Sequence, residues 1–577
     1  MADRRPSETR APAAVSPAVP PPAAQSRHAR RLLLVLVLLL LAAAKASFDP
    51  GLGRNSLDGD YYFQIARHLA EGDGLVTSVS LYHQGYKELP HPTTIYPGWP
   101  LAMAGAARAI GLYLAATLLP EVLYLVDLAL LYLLALRLAR RVGGSELVLA
   151  RVGWLDVGHL AVLLFGTNPV FFQFTSLPYT EALAYGLCFG ALLALDRAVD
   201  GGRWTPWVAA GLLAGAAFVS RSQMVMVTIA AVAGLALPAL RRPALAGRGA
   251  LLAAAAALAV LPWALYVATF VEPFDPRVLV RVGAYRETPE LAPFRWGYPV
   301  EGAAELWANR LRGLAVAFDP RRADSYFRSF GPAVYLVPLA ALHLLVRPAR
   351  WRAAWGALST PRAVPVVASL AAGALMLAPI HLLHSRFLWE WRFGHRHGLP
   401  FVLLLVVALV YLLCRVSGRV RHVALALALL SVVGGSFGVA GLLGTRFASG
   451  LLGAEPELVR WLEGHPGKPI VVTTNAQPLS VYSRAGFHWM ECREKPEQTR
   501  ALIEHVGIDY VLVYAGEERC AFVRGLSELE VARVFGDGRA RIWALRPKQA
   551  RSPPLTRTRS TAPPPPTAPG SPGTEGR

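Results

Sequence analysis

The sequence predicts an all-α polytopic membrane bundle of about eleven transmembrane helices, with a small α/β domain at its C-terminal end. Three observations predict it. Apolar residues are gathered into long blocks, arginines are gathered in the short breaks between those blocks, and the pattern changes near residue 447 to short runs of β-type residues.

Of the 577 residues, 54% are hydrophobic, and the mean hydropathy is +0.38. A soluble globular chain is ~45–50% apolar, so the excess needs somewhere to go. Blocks such as LLLVLVLLLLAAA, LLAAAAALAVLPWALYVATF and HGLPFVLLLVVALVYLLC hold it, and a membrane-crossing helix takes roughly 17–25 mostly apolar residues. The net charge of +20 would suit nucleic acid, but a DNA-binding face clusters its Lys and Arg within one folded module. Here they sit in loops: Arg137, Arg140 and Arg141; Arg241 and Arg242; Arg347, Arg350 and Arg352; Arg415, Arg419 and Arg421. That is the positive-inside pattern. It argues against nucleic acid and makes membrane lipid the surrounding partner.

Residues 1–31 are rich in Pro, Ala, Ser and Arg, a composition that cannot bury a core, and read as a disordered cytoplasmic leader. The transmembrane domain follows over 32–446. Its first span is Leu32–Ala44; because Ala44-Lys45-Ala46 resembles a small-residue cleavage site, a signal peptide is the other reading of this segment. Either reading sends the next loop, 47–109, outside. That loop carries Asp49, Asp58, Asp60, Glu71, Asp73 and Glu88 against Arg54, Arg67, Lys87 and Arg108. The prolines of its HPTTIYPGWP stretch are expected to forbid a regular helix.

Ten further spans read as Leu114–Leu136, Trp154–Phe172, Pro178–Leu195, Trp207–Val219, Met224–Leu240, Leu251–Phe270, Val334–Val346, Val364–Leu383, Leu399–Cys414 and Val423–Leu443. Counted from a cytoplasmic N-terminus, every arginine cluster named above falls inside, and the C-terminal domain falls outside. A second external loop spans 271–330, with Trp296, Tyr298 and Trp307 as interface anchors. Beyond the last span, PIVVTT and DYVLVY read as buried strands, EQTRALIEHVG as a helix and RARIWALR as a closing strand. Together they form a small extracytoplasmic α/β domain at 447–548. A Pro-rich disordered tail occupies 549–577. Of the four cysteines, Cys188 and Cys414 lie in apolar blocks, whereas Cys492 and Cys520 share the C-terminal domain and could pair.

Chemistry concentrates at the outer boundary. Asp58 and Asp60 open the run LDGDYYFQIARHL, where an outward-facing carboxylate would serve as a base, or as a helix N-cap. Glu181 starts a helix at the outer face and would bind a substrate or simply favour the helix dipole. Arg221 lies between two spans, and Arg386, Arg392 and Arg396 precede a late one. Their planar forks suit phosphate oxygens, and ordinary snorkelling to headgroups is the other reading. His381, His384, His395 and His397 have spacings that would admit a metal, but read more simply as interfacial polar residues, with only Glu390 at hand as an acidic ligand. Asp127, inside an apolar span, marks either function or a partner on a neighbouring helix.

The segment LDGDYYFQIARHLAEGDGL closely resembles the first external loop of the GT-C glycosyltransferases, in the branch of the protein O-mannosyltransferases and the bacterial aminoarabinose and mannosyl transferases. In that family an Asp-Glu pair is followed, four residues after the Asp, by Tyr and then by an Ile-Ala-Arg-like helix start. Asp58, Tyr62, Ile65, Ala66 and Arg67 keep those spacings. Gly59 stands where the family has Glu, and Asp60 supplies a second acid, so the resemblance leaves open which Asp carries the catalytic role. TTIYPGWPLAMAGAARAIG resembles the family's Tyr-Pro-Pro-Gly-Tyr-Pro segment, and LPYTEALAYGLCFGALLALDR its Thr-Glu-Ala helix start. WVAAGLLAGAAFVSRSQMV is similar to its Gly-rich helix ending at Arg. WRFGHRHGLPFVLLL is similar to its Arg-Tyr-x-x-Pro approach to a late helix, with His397 in place of Tyr.

The resemblance runs in family order from about residue 30 to 415. It implies a multi-pass cell-membrane (inner or plasma membrane) glycosyltransferase that passes a sugar, with inversion, from a polyprenyl-phosphate donor to an extracytoplasmic glycan, lipid or protein. Asp58 or Asp60 would be the base, with Tyr62, Glu181, Arg221, Arg392, Arg396 and His397 around the donor phosphate. It implies no cofactor, although a divalent cation at Asp58 and Asp60 is chemically admissible. The rival class is a lipid or glycan transporter or flippase, which would show inverted repeats and polar residues near mid-membrane. This sequence places its unusual acids in an external loop instead.

Overall fold

In a computed structural model of the chain, the described residues are 24–48, 57–80, 89–93, 95–143, 146–148, 154–271, 315–322, 325–382, 396–444, 451–490, 492, 496–524 and 526–548. They divide into a helical unit, which holds most of the described residues up to 444, and a second unit comprising the described residues of 78–91 and 451–548.

The helical unit begins with α1 (Ala24–Ala46), α2 (Leu57–Glu71), α3 (Gly98–Ile110), α4 (Leu112–Arg141), α5 (Val157–Gly166) and α6 (Pro169–Phe174). It continues with α7 (Glu181–Asp200), α8 (Thr205–Ser220), α9 (Val225–Arg241) and α10 (Ala244–Phe270). Later helices cover Tyr326–Phe330, Leu336–Leu345, Pro348–Leu358, Val364–Leu382, Phe401–Cys414 and Arg419–Gly444. Among the described residues, seven helical segments are long and apolar enough to cross a membrane: Leu112–Arg141, Glu181–Asp200, Ser222–Arg241, Ala244–Phe270, Tyr326–Leu345, Pro361–Ala378 and Arg419–Gly444. Shorter apolar helices are α5, α8 and Phe401–Cys414.

Close packing follows from small residues at helix crossings. Gly211 and Gly215 sit four apart on α8, and a Cβ on either would lie 2.2 Å from Leu252 O or 2.4 Å from Ala256 O of α10. That spacing of small residues is what lets two apolar helices bring their backbones together. Lys45, fully buried at the end of α1, donates to Phe172 O (2.7 Å), Thr175 Oγ1 (2.9 Å) and Ser176 Oγ (2.5 Å). Its ammonium also lies over the Tyr124 ring. The segment also read as a cleavage site is therefore packed into the bundle.

Three expectations need correction. The span read as Trp154–Phe172 is two helices, broken at Thr167 and Asn168. Asn168 caps α6 by accepting from Phe171 N (2.9 Å), and Pro169 fills the first helical position, where its missing N–H costs nothing. The HPTTIYPGWP prolines do not exclude helix: Pro97 precedes α3 and Pro100 lies in its first turn, positions that proline tolerates. Finally, the stretch read as external to residue 330 already contains the helix Tyr326–Phe330, which starts the apolar segment Tyr326–Leu345. Trp296, Tyr298 and Trp307 lie outside the described residues.

The second unit is built on a six-stranded mixed sheet. In spatial order its strands are Val79–Ser80, Gly486–Trp489, Ile470–Thr473, Tyr510–Tyr514, Ile542–Pro547 and Leu529–Phe535. The first four are parallel and the last two antiparallel. Val472, Leu502, Val511 and Phe522 are fully buried in its core. Helices Glu455–Glu463, Ala476–Tyr482 and Pro496–His505 connect the strands. Strand Val79–Ser80 comes from the segment read as part of the first external loop, and pairs in register with Phe487 and His488. Cys492 and Cys520 form a disulfide with Cα atoms 4.5 Å apart, beside a backbone bond from Ala521 N to Cys492 O of 2.7 Å.

Candidate active site

Four charged side chains from distant parts of the helical unit meet in one cluster. Asp58 and Asp60 stand in the first turn of α2, where a helix N-terminus favours negative charge. Glu181 is the first residue of α7 and is fully buried. Arg221 ends α8 in extended backbone, which turns its side chain off the helix. Arg396 opens a short 3₁₀ turn, Arg396–Gly398, ahead of the helix Phe401–Cys414.

The two acids and two arginines interlock. Arg221 Nη1 donates to Glu181 Oε1 at 2.6 Å and to Thr180 Oγ1 at 3.2 Å, while its Nε donates to Gln223 Oε1 at 3.2 Å. Arg396 Nη2 donates to Asp58 Oδ2, and its Nε lies 3.7 Å from Glu181 Oε1. The guanidinium of Arg396 also stands 4.6 Å over the Tyr179 ring and 5.7 Å from the Phe174 ring. Those two rings stack with centroids 5.5 Å apart. Cation–π contact with desolvated rings adds roughly 1–2 kcal/mol and fixes the guanidinium plane.

Charge balance explains why such a group tolerates burial. Two carboxylates and two guanidinium groups sum to zero, and each buried charge faces an opposite one. Burial alone would lower the affinity of Arg396 for its proton, but the facing Glu181 and Asp58 carboxylates outweigh it and raise its pKa above the ordinary value. Tyr62, one turn after Asp58, is pushed the same way, by burial first and then by the Asp58 charge, so its phenol keeps its proton at neutral pH.

Of the residues singled out from sequence, Asp58, Tyr62, Glu181, Arg221 and Arg396 are brought together. Asp60 is fully buried in the same turn as Asp58, but among the described residues the ion pairs of Arg396 go to Asp58 and Glu181. His397 is partly exposed beside Arg396. Arg386, Arg392, His384, His395 and Glu390 lie outside the described residues, as does the side chain of His381. Asp127 is buried in α4, its Oδ1 only 2.5 Å from where a Cβ on Gly186 would stand. Sequence reasoning passed over Tyr179 and Phe174; the aromatic residue two before Glu181 was the available signal. Among the described residues no group of three or more His, Cys, Asp or Glu side chains is arranged to hold a metal ion.

The arrangement is that of a membrane-embedded bundle with a carboxylate, a paired acid and two arginines at one end of its helices, suited to an anionic substrate. Residues 114–266 match the sequence profile of the dolichyl-phosphate-mannose-protein mannosyltransferase family. In fold, the chain is similar to the Archaeoglobus fulgidus oligosaccharyltransferase in its apo form (TM-score 0.54, 13% identity), covering 84% of this chain and 70% of that one. It is also similar to the archaeal oligosaccharyltransferase AglB from the same organism, in complex with an inhibitory peptide and a dolichol-phosphate (TM-score 0.50, 11% identity), covering 84% of this chain and 69% of that one. No curated protein sequence matches the chain. The sequence match over residues 114–266 and the shared fold agree with the resemblance read from the sequence.

Proposed function

We propose that the enzyme transfers a sugar from a polyprenyl-phosphate-linked donor to an extracytoplasmic glycan, lipid or protein, with inversion and with Asp58 as general base. The observation that carries this reading is the junction of Asp58, Glu181, Arg221 and Arg396. Transfer from a phosphate needs no general acid, since the phosphate is a good leaving group. It needs a base for the incoming hydroxyl and cations for the departing charge. A positioned carboxylate base contributes ~10²–10⁴ in rate, and an arginine fork meets phosphate oxygens in pairs.

The acceptor oxygen bonds to the anomeric carbon as its proton passes to Asp58. The bond from that carbon to the phosphate oxygen breaks, and its electron pair leaves with the prenyl phosphate, whose charge Arg396 meets. Glu181, held by Arg221, orients Arg396 and keeps the group neutral. Asp58 is preferred over Asp60 because it is 46% exposed and within reach of a substrate. Partners of this chemistry are a prenyl-phosphate sugar, a hydroxyl-bearing acceptor and membrane lipid, with the Arg396 guanidinium as the cation that meets the departing phosphate.

In the proposed topology, eleven spans run from a cytoplasmic N-terminus, and the second unit is extracytoplasmic. The Cys492–Cys520 bridge supports that placement, since disulfides persist in oxidising compartments. The test is transfer by the purified chain from a panel of prenyl-phosphate sugars, with mass spectrometry of envelope glycans in a deletion strain to identify sugar and acceptor. Release of sugar from no prenyl-phosphate donor, with glycans unchanged on deletion, contradicts the proposal.

A further inference from the structure

The Arg396 guanidinium is only half used. Its Nη2 holds Asp58. Its Nε, on the same edge of the fork, is buried without a hydrogen-bond partner among the described residues, with Glu181 Oε1 at 3.7 Å, beyond bonding reach. A buried donor left without an acceptor is costly, and a native structure keeps one where a ligand will take it. The Nε–Nη2 edge fits two oxygens of one phosphate.

The two carboxylates around Arg396 differ in how easily they can leave. Glu181 is 0% exposed and bonded to Arg221 at 2.6 Å, so it is fixed. Asp58 is 46% exposed, and among the described residues its one ion pair is to Arg396. Resting on the donor reading above, we propose that Asp58 is a placeholder on Arg396: the phosphate of an incoming prenyl-linked donor displaces it, and the base is freed only when a donor is seated. The exchange is neutral, because a phosphodiester anion and a carboxylate each carry one negative charge. It also changes what Asp58 can do. Bound to a guanidinium, its carboxylate oxygen is already taken as a hydrogen-bond acceptor; released, it faces the acceptor hydroxyl. The consequence is ordered binding, donor before acceptor, by a single ion-pair exchange.

The experiment measures binding of a short-chain polyprenyl phosphate to the full-length protein in nanodiscs, by calorimetry, for wild type, Asp58→Asn, Arg396→Gln and the double variant. Removing a competing, partly exposed ion pair should tighten prenyl phosphate binding about threefold to tenfold in Asp58→Asn. The gain should vanish in the Arg396→Gln background. Asp58→Ser should show the same tightening, and decides the matter if Asp58→Asn does not fold. Equal or weaker binding by a folded Asp58 variant overturns the placeholder while leaving the donor reading intact. Absence of prenyl phosphate binding by wild type and variants alike overturns the donor reading, and the placeholder with it.

Discussion

Replacing Glu181 by Gln removes one charge and almost no volume from the centre of the cluster. Glu181 is fully buried, 2.6 Å from Arg221 and 3.7 Å from Arg396. A unit charge pair near 4 Å is worth about 4 kcal/mol at an effective dielectric of 20, and removing one partner of a buried pair costs about 3–5 kcal/mol because the other is left uncompensated. Gln keeps an oxygen for Arg221, and Arg396 keeps Asp58, so the expected loss lies at the lower end, about 3 kcal/mol of stability. If about 2 kcal/mol of that also misaligns Arg396 at the donor phosphate, transfer falls about 30-fold. Arg221→Gln should give a similar loss, and the double variant should be less impaired than the sum of the two, because neither charge is then left alone. Thermal unfolding in detergent and kcat/KM for sugar transfer are the assays. Stability and kcat/KM both within about twofold of wild type in Glu181→Gln would refute the reasoning that this acid anchors the arginines.

Three further outcomes are expected. Reducing the Cys492–Cys520 bridge, which closes a separation of 28 residues, should destabilise the second unit by about 3–4 kcal/mol; maleimide labelling of both cysteines without reductant would contradict the bridge. His488 is held down to about 3, by burial first and then by the charge of His91. Its folded pKa is thus below its unfolded value, so the stability it contributes is present above about 6.5 and is lost as pH falls from there toward 3, with a slope near 1.4 kcal/mol per pH unit. His488→Phe should flatten that slope in pH-dependent unfolding, and an unchanged slope would rule His488 out as its source. Chelation of divalent cations should leave transfer within about twofold, since Arg396 supplies the positive charge for the departing phosphate; complete loss restored by a metal would contradict that arrangement.

Much of the helical unit was legible in the sequence because a membrane imposes long apolar blocks and sorts arginines between them. Asp58, Glu181, Arg221 and Arg396 were legible as well, since charge at the end of an apolar helix stands out against its surroundings. What escaped was decided by tertiary context. The break at Asn168 lies within apolar residues, and only the cap on Phe171 and the proline at 169 mark it. Strand Gly486–Trp489 has a glycine start and no alternation, and Val79–Ser80 is a two-residue strand that exists only through its pairing with Phe487 and His488. Tyr179 and Phe174 read as ordinary apolar residues; their role as a platform depends on Arg396, more than two hundred positions away.

The central claim, that Asp58 is the base for sugar transfer, is tested most directly by assaying Asp58→Asn and Asp60→Asn side by side for transfer from a prenyl-phosphate sugar, with folding checked by thermal unfolding. Asn keeps the shape of either side chain and removes the proton acceptor. The account predicts that Asp58→Asn stays folded and loses about 10²-fold or more in rate, while Asp60→Asn retains activity to the extent that it folds. Near-normal transfer by Asp58→Asn, whatever Asp60→Asn does, would contradict it.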